Sequence, residues 1–242
     1  MNKNVSLLLA ASVMLFLQGS AAALDYMGPP VAGLKKGQFR TGFDLSMGEM
    51  DVEFKGEGAK DTLNDFESRR YLWSLGYGLR DNWEAFVRLG AGGAETEGGF
   101  DGDTRFAYGL GTKVTLAGDN TLNWGALLQV GWGKSENSYD DLLGLSGDGE
   151  IDWYEIQAAA GGTYDMEDWR LYGGLFLHYV GGDLDVEDPF FGRTFSFDLT
   201  QESVPGGYVG ARFDLRKNVT LDTEFQVTSD AWALGLGLAY KF

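Results

Sequence analysis

The sequence predicts an all-β fold, an antiparallel up-and-down barrel that crosses a membrane with about ten strands, within a range of roughly eight to twelve. Three observations predict it. Apolar residues recur with period two rather than 3.6, the connections between these runs alternate between tight and long, and the residues between the apolar ones are small or charged. The chain has 242 residues, with 37 Gly, 7 Trp and no Cys, and 36 Asp plus Glu against 19 Lys plus Arg give a formal charge of −17. Without cysteine, disulfide scaffolds, thiolate metal sites and cysteine nucleophiles are excluded, and one histidine, His178, cannot build a multi-His zinc site. The acidic balance argues against a nucleic-acid partner, because phosphate binding needs Lys and Arg to displace counterions.

Met1–Ala23 reads as a secretory signal peptide. Lys3 precedes the apolar run Val5–Leu17, and Ser20-Ala21-Ala22-Ala23 supplies small residues before a cleavage point. The run covers about 13 residues where a spanning helix needs about 20. Residues 24–37, with Met27-Gly28-Pro29-Pro30 and Lys35-Lys36, read as a periplasmic tail, and 38–242 as the barrel domain.

The strands follow in order. Phe39, Thr41, Phe43, Leu45 and Met47 share one face, then Tyr71, Trp73, Leu75, Tyr77 and Leu79, then Ala85, Val87, Leu89 and Ala91. Phe106 to Leu116 and Leu122 to Gly133 continue the pattern, followed by Tyr154 to Ala160, Leu171 to Tyr179 and Val209 to Leu215. Val219 to Val227 and Ala231 to Phe242 close it. A soluble sandwich also alternates, but its strands average five or six residues, whereas a tilted spanning strand needs about 9–11. The non-apolar face is rich in Gly and Ala, which suits a crowded lumen better than a solvated surface.

Tight turns are expected at Arg80-Asp81-Asn82, Gly118-Asp119-Asn120, Asp165–Asp168 and Arg216-Lys217-Asn218. Long connections are expected around Val52–Glu67, Gly93–Thr104, Lys134–Asp152 and Gly181–Gln201, the rhythm of short periplasmic turns and long external loops. All seven Trp fall near one of these two rims, as an interfacial aromatic belt requires. Counted with their flanking residues, as Asp51–Ser68, Gly93–Thr104, Lys134–Asp152 and Gly181–Glu202, the long connections with Asp230 hold 23 acids and 4 bases, so the negative charge is external. By parity Arg40, Arg70, Arg88, Arg105, Lys113, Arg170, Arg212 and Lys241 face the lumen with Asp44, Glu84, Glu155, Asp214, Asp222 and Glu224. Charge away from bulk water must pair, so a ladder of ion pairs that largely closes a narrow pore is expected, with an Arg-lined conduit for small anions as the alternative.

The leader, the alternating strands and the closing Gly235–Phe242 resemble a small bacterial outer-membrane β-barrel of the broad OmpA/OmpW-like class. That resemblance implies integral outer-membrane placement among lipid and lipopolysaccharide. It also implies that Leu238, Tyr240 and Phe242 are the signal read by the barrel-assembly machinery during insertion. Some ten-strand members are omptin-like proteases with a His–Asp pair at the external mouth. His178 points inward near that end with Asp183 and Asp185 downstream, but Phe176 stands where the omptin pattern has its Asp. No Ser lies beside His178 for lipid A deacylase or palmitoyl-transferase chemistry.

The expectation is therefore a non-enzymatic barrel without cofactor, structural or narrow-pored. Porin-like or hydrophobic-compound transport is the alternative, and omptin-like hydrolysis the more remote one. Asp148, Glu150, Asp152, Asp183, Asp185 and Glu187 are candidate oxygen ligands for divalent cations at the external loops, without EF-hand spacing. The stretch Pro189–Phe197 carries four Phe that either fold over the mouth or extend a strand and pack the loop.

Overall fold

The computed structural model describes residues 24–56, 59–95, 102–142, 145–167, 169–188 and 193–242. The expected signal peptide, Met1–Ala23, lies outside the described residues, as does Pro189–Gly192. Ten antiparallel strands form a closed barrel: β1 (Phe39–Gly56), β2 (Ala59–Arg80), β3 (Trp83–Glu95), β4 (Arg105–Gly118) and β5 (Leu122–Leu142), then β6 (Leu145–Asp165), β7 (Trp169–Asp188), β8 (Arg193–Arg216), β9 (Val219–Val227) and β10 (Ala231–Lys241). Each strand pairs with its sequence neighbours, and β1 pairs with β10 from Arg40↔Lys241 to Met50↔Ala231. Closure leaves no edge, which membrane crossing requires because lipid cannot satisfy a free backbone N–H or C=O.

The apolar face of each strand points outward. Leu175 is 74% exposed, and Leu110, Leu128, Leu177, Val209 and Leu238 are exposed with it. No helix among the described residues is long and apolar enough to cross a membrane. Six of the seven Trp lie on or near this face, but Trp153 does not. It is buried in the lumen edge-on to Phe66, because it falls on the inward parity shared with Ile151 and Glu155. Tyr240 and Phe242 pack edge-on at 5.0 Å, and with Leu238 they stay exposed on the outer face.

One expectation about connections needs correcting. Most of the long connections are strand: β5 and β6 pair from Leu122↔Tyr164 to Leu142↔Leu145, and β7 and β8 pair up to Asp188↔Arg193. Alternation fades there because both faces of the hairpins leave the lipid, while the backbone ladder continues. The hairpin of β9 and β10 stops lower, so above it β1 pairs directly with β8 at Glu53↔Thr200, Phe54↔Leu199 and Lys55↔Asp198. The tight turns are self-sufficient: Asp119 accepts hydrogen bonds from the backbone N–H of Thr121 and Leu122 at 2.7 and 2.8 Å. Those bonds hold its carboxyl below the usual range.

Candidate functional site

The largest departure from expectation is residues 24–37. They are not a periplasmic tail, because residues 24–30 are buried and sit inside the barrel. The chain enters β1 at the turn-rich end through a reversal at Lys35–Gln38, where Gln38 N–H donates to Lys35 O and Gly37 N–H to Gly78 O. Gly37 sits at φ +82°, where an L side chain is strained. Gly37→Ala is expected to cost about 1–2 kcal/mol, seen as a lower midpoint of heat unfolding in detergent, because the nearby space is open and only the backbone objects.

An extended segment inside a lumen has backbone groups to satisfy. The barrel wall provides the partners. Glu84 Oε2 accepts from Gly33 N–H at 2.7 Å and Leu34 N–H at 3.1 Å. Glu224 accepts from Met27 N–H at 2.8 Å and Gly28 N–H at 2.9 Å. Just past these two N–H groups the chain turns at Gly28, which sits at φ +69°. Lys113 Nζ donates to Met27 O at 2.7 Å, Gln226 Nε2 to Asp25 O at 2.8 Å, and Ala32 N–H reaches Thr115 Oγ1 at 3.1 Å. Pro29 and Pro30 have no N–H to place. Hydrogen bonds to charged groups contribute roughly 1.5–3 kcal/mol each, so the two carboxylate clamps alone hold the plug firmly.

The side chains interlock as well. Tyr26 Oη donates to Asp222 Oδ2 at 2.5 Å, and Asp222 is held from the other side by Arg212 at 2.6 Å. Asp25 accepts from Arg70 Nη1 at 2.6 Å, while Arg70 Nη2 reaches Glu155 at 2.5 Å. Wall glycines make the room. A Cβ on Gly235 or Gly237 would lie 2.7 or 2.8 Å from Tyr26 atoms, one on Gly125 2.6 Å from Pro30 O, and one on Gly78 2.0 Å from Lys35 O.

The remaining ladder residues sort by height. Arg40 pairs with Glu84 at 2.9 Å and Arg88 with Asp44 at 2.8 Å, both inside the wall. Three of the predicted bases and one acid instead lie at the ends of the tube. Arg170 and Asp214 pair at 2.9 Å at the turn rim, half exposed, with Asp165 also on Arg170. Lys241 stands near them around a vestibule of about 740 Å³. Arg105 is at the opposite, external rim, pairing with Asp103 and Glu136. They depart from the ladder because the strands run past both membrane faces there. Above the vestibule the gap between Tyr26, Asp44, Arg88, Lys113 and Asp222 shrinks to about 20 Å³.

Beyond the plug the lumen is apolar, which the parity reading missed. Met50, Phe66, Ile151, Trp153, Val180 and Leu184 form one buried cluster with Leu24, and Phe197 and Leu199 of β8 join it. Phe197 therefore faces the lumen rather than the outside. Its alternation is offset by the irregular pairing of β7 and β8 between His178 and Val180, which reverses the parity of β8 above it. At the external rim, Trp132, Tyr154 and Tyr179 with Asp152, Asp183 and Asp198 border a second cavity of about 720 Å³.

His178 is fully buried, and Phe176 is also inward and buried. The carboxylate facing His178 is Glu155, 3.5 Å from Nε2, not Asp183, which is exposed. Among the candidate cation ligands, Glu150 and Asp152 converge on Lys134 at 2.5 and 3.7 Å, and Asp185 accepts from Ser196 Oγ. Asp148 stands opposite Glu187 in the ladder, Glu150 opposite Asp185, and Asp152 opposite Asp183. Among the described residues no three His, Cys, Asp or Glu side chains are grouped to hold a metal.

No protein-family model matches the chain, and no curated protein matches it. Solved structures do. The outer membrane protease OmpT from Escherichia coli is similar at 11% identity and a TM-score of 0.52, with 91% of this chain covering 99% of that one. The chain is built as a small outer-membrane β-barrel. The barrel is also similar to the outer membrane protein OprG from Pseudomonas aeruginosa, at 14% identity and TM-score 0.44 over 87% of this chain and 98% of that one. The attachment invasion locus protein Ail of Yersinia pestis matches at 15% identity and TM-score 0.39, over 86% and 99% of the two chains.

Proposed function

We propose that the protein is a non-enzymatic surface barrel that rests closed, stoppered from within by residues 24–34. The observation that carries this reading is the bonding of that segment. Two lumen carboxylates, Glu84 and Glu224, each accept from two consecutive backbone N–H groups of it. A loose tail that happened to drift into a pore would not find paired acceptors at both ends. Two barriers stand in series, the plug with its ion pairs and the apolar cluster around Trp153 and Phe66. The role is structural in the resting state, with a narrow pore available only when both layers part.

The burial of His178 supports the non-enzymatic reading, since a general base must reach its water and substrate. Planar-bilayer recording of the purified full chain tests closure. No steady conductance is expected, and ohmic current through the unmodified protein would overturn the proposal.

A further inference from the structure

The ion pairs along the lumen are nearly all one to one. Arg40 serves Glu84, Arg88 serves Asp44 and Arg212 serves Asp222, while Lys113 and Glu224 hold the carbonyl and amide of the same residue, Met27. Arg70 is different: one guanidinium faces two carboxylates, Asp25 and Glu155, all three buried. Among the described residues Arg70 is the only Arg or Lys bonded to either carboxylate, and His178, 3.5 Å from Glu155, adds a positive charge only when protonated. The same place collects polar atoms without hydrogen-bond partners among the described residues: Glu155 Oε2, Arg70 Nε, and both ring nitrogens of His178. The His178–Glu155 separation of 3.5 Å is too long for a good hydrogen bond. Leu24, next to Asp25, is 1% exposed and belongs to the same apolar cluster as Trp153.

We propose that this place is the seat of the mature protein's own amino terminus, its α-ammonium group pairing with the Glu155 carboxylate. A signal peptidase adds water across the Ala23–Leu24 peptide bond, the hydroxyl going to Ala23 and a proton to the nitrogen of Leu24. The amine so freed takes up a proton from solvent and supplies the charge that Arg70 alone does not. Leader removal then frees the group that completes the seat of the plug. The inference rests on the stoppered-barrel reading and deepens it.

The test uses the absence of cysteine from the chain. Ser46, buried in the lumen wall, is replaced by Cys as a reporter that a water-soluble maleimide reaches only when the plug leaves. Amino-terminal sequencing of the protein purified from outer membranes should begin at Leu24. Acetylating the α-amine of that chain before refolding should speed labelling of Ser46→Cys on the order of tenfold, and much less in a Glu155→Gln background. If the acetylated chain does not refold, Glu155→Gln is compared with Glu155→Asp in cells, and only the first should speed labelling. A mature start at any other residue, or acetylation or Glu155→Gln without effect on labelling, overturns the inference and leaves the plug in place. Rapid labelling of the unmodified reporter would instead overturn the stoppered-barrel reading itself.

Discussion

Arg70→Leu is expected to destabilise the folded barrel by about 3–5 kcal/mol, the range for breaking a buried pair by removing one partner. The guanidinium bonds Asp25 at 2.6 Å and Glu155 at 2.5 Å, and lies 5.4 Å from the centroid of Trp153. Its loss leaves two carboxylates in a water-poor lumen and removes the tie between plug and wall. The measurement is the temperature at which the heat-modifiable band converts on a gel in detergent, which should fall well below that of the unmodified chain. Adding Glu155→Gln to Arg70→Leu should recover part of the loss, because it removes one stranded charge. An unchanged midpoint in Arg70→Leu would show that the pair contributes nothing net.

The second large effect concerns conductance and depends on the two barriers acting in series. Deleting Asp25–Gly33 removes every plug bond to Glu84 Oε2 except that of Leu34, and all of those to Glu224 and Asp222 from the plug. The apolar layer remains above, and water and ions are excluded from a closed apolar constriction. The deletion alone is therefore expected to conduct little. Phe66→Ala with Trp153→Ala alone should conduct little too, because the plug still fills the lower lumen. Combined, they should give steady ohmic current in planar bilayers, at least an order of magnitude above either alone in this series picture. Full conductance in the single deletion would show that the apolar layer is no barrier, and a silent combination would show a third obstruction.

The barrel itself was legible because its cause is local. Lipid on one side and a crowded lumen on the other impose period two, so Leu110, Leu128, Leu175 and Leu238 declare their face from sequence parity alone. The pairing of Arg88 with Asp44 and of Arg212 with Asp222 follows from the same parity once charges are confined to a narrow tube. Parity failed where the lipid stops. Above the bilayer both faces of β5 to β8 lose their contrast, so extended hairpins read as loops, and the offset between β7 and β8 moved Phe197 from outside to inside.

Residues 24–37 failed for a different reason. Nothing about Leu24-Asp25-Tyr26-Met27-Gly28-Pro29-Pro30 has a period, and a segment without one reads as a tail. The partners that define it, Glu84, Arg70, Asp222 and Glu224, are distant in sequence, and Tyr26 and Asp222 are 196 residues apart. One trace of it was visible: the inward face is rich in glycine, which reads as a crowded lumen without saying what crowds it. Gly125, Gly235 and Gly237 lack side chains because Pro30 and Tyr26 occupy that space.

The sequence by itself determined the wall: about ten strands, which face meets lipid, and most of the charges that are shut inside. Those properties repeat every second residue and depend on neighbours along the strand. Only the tertiary structure decided what fills the lumen. The plug is held by hydrogen bonds between its backbone and side chains on β3, β4, β5 and β9, and a backbone N–H or C=O carries no residue type by which a sequence could announce it.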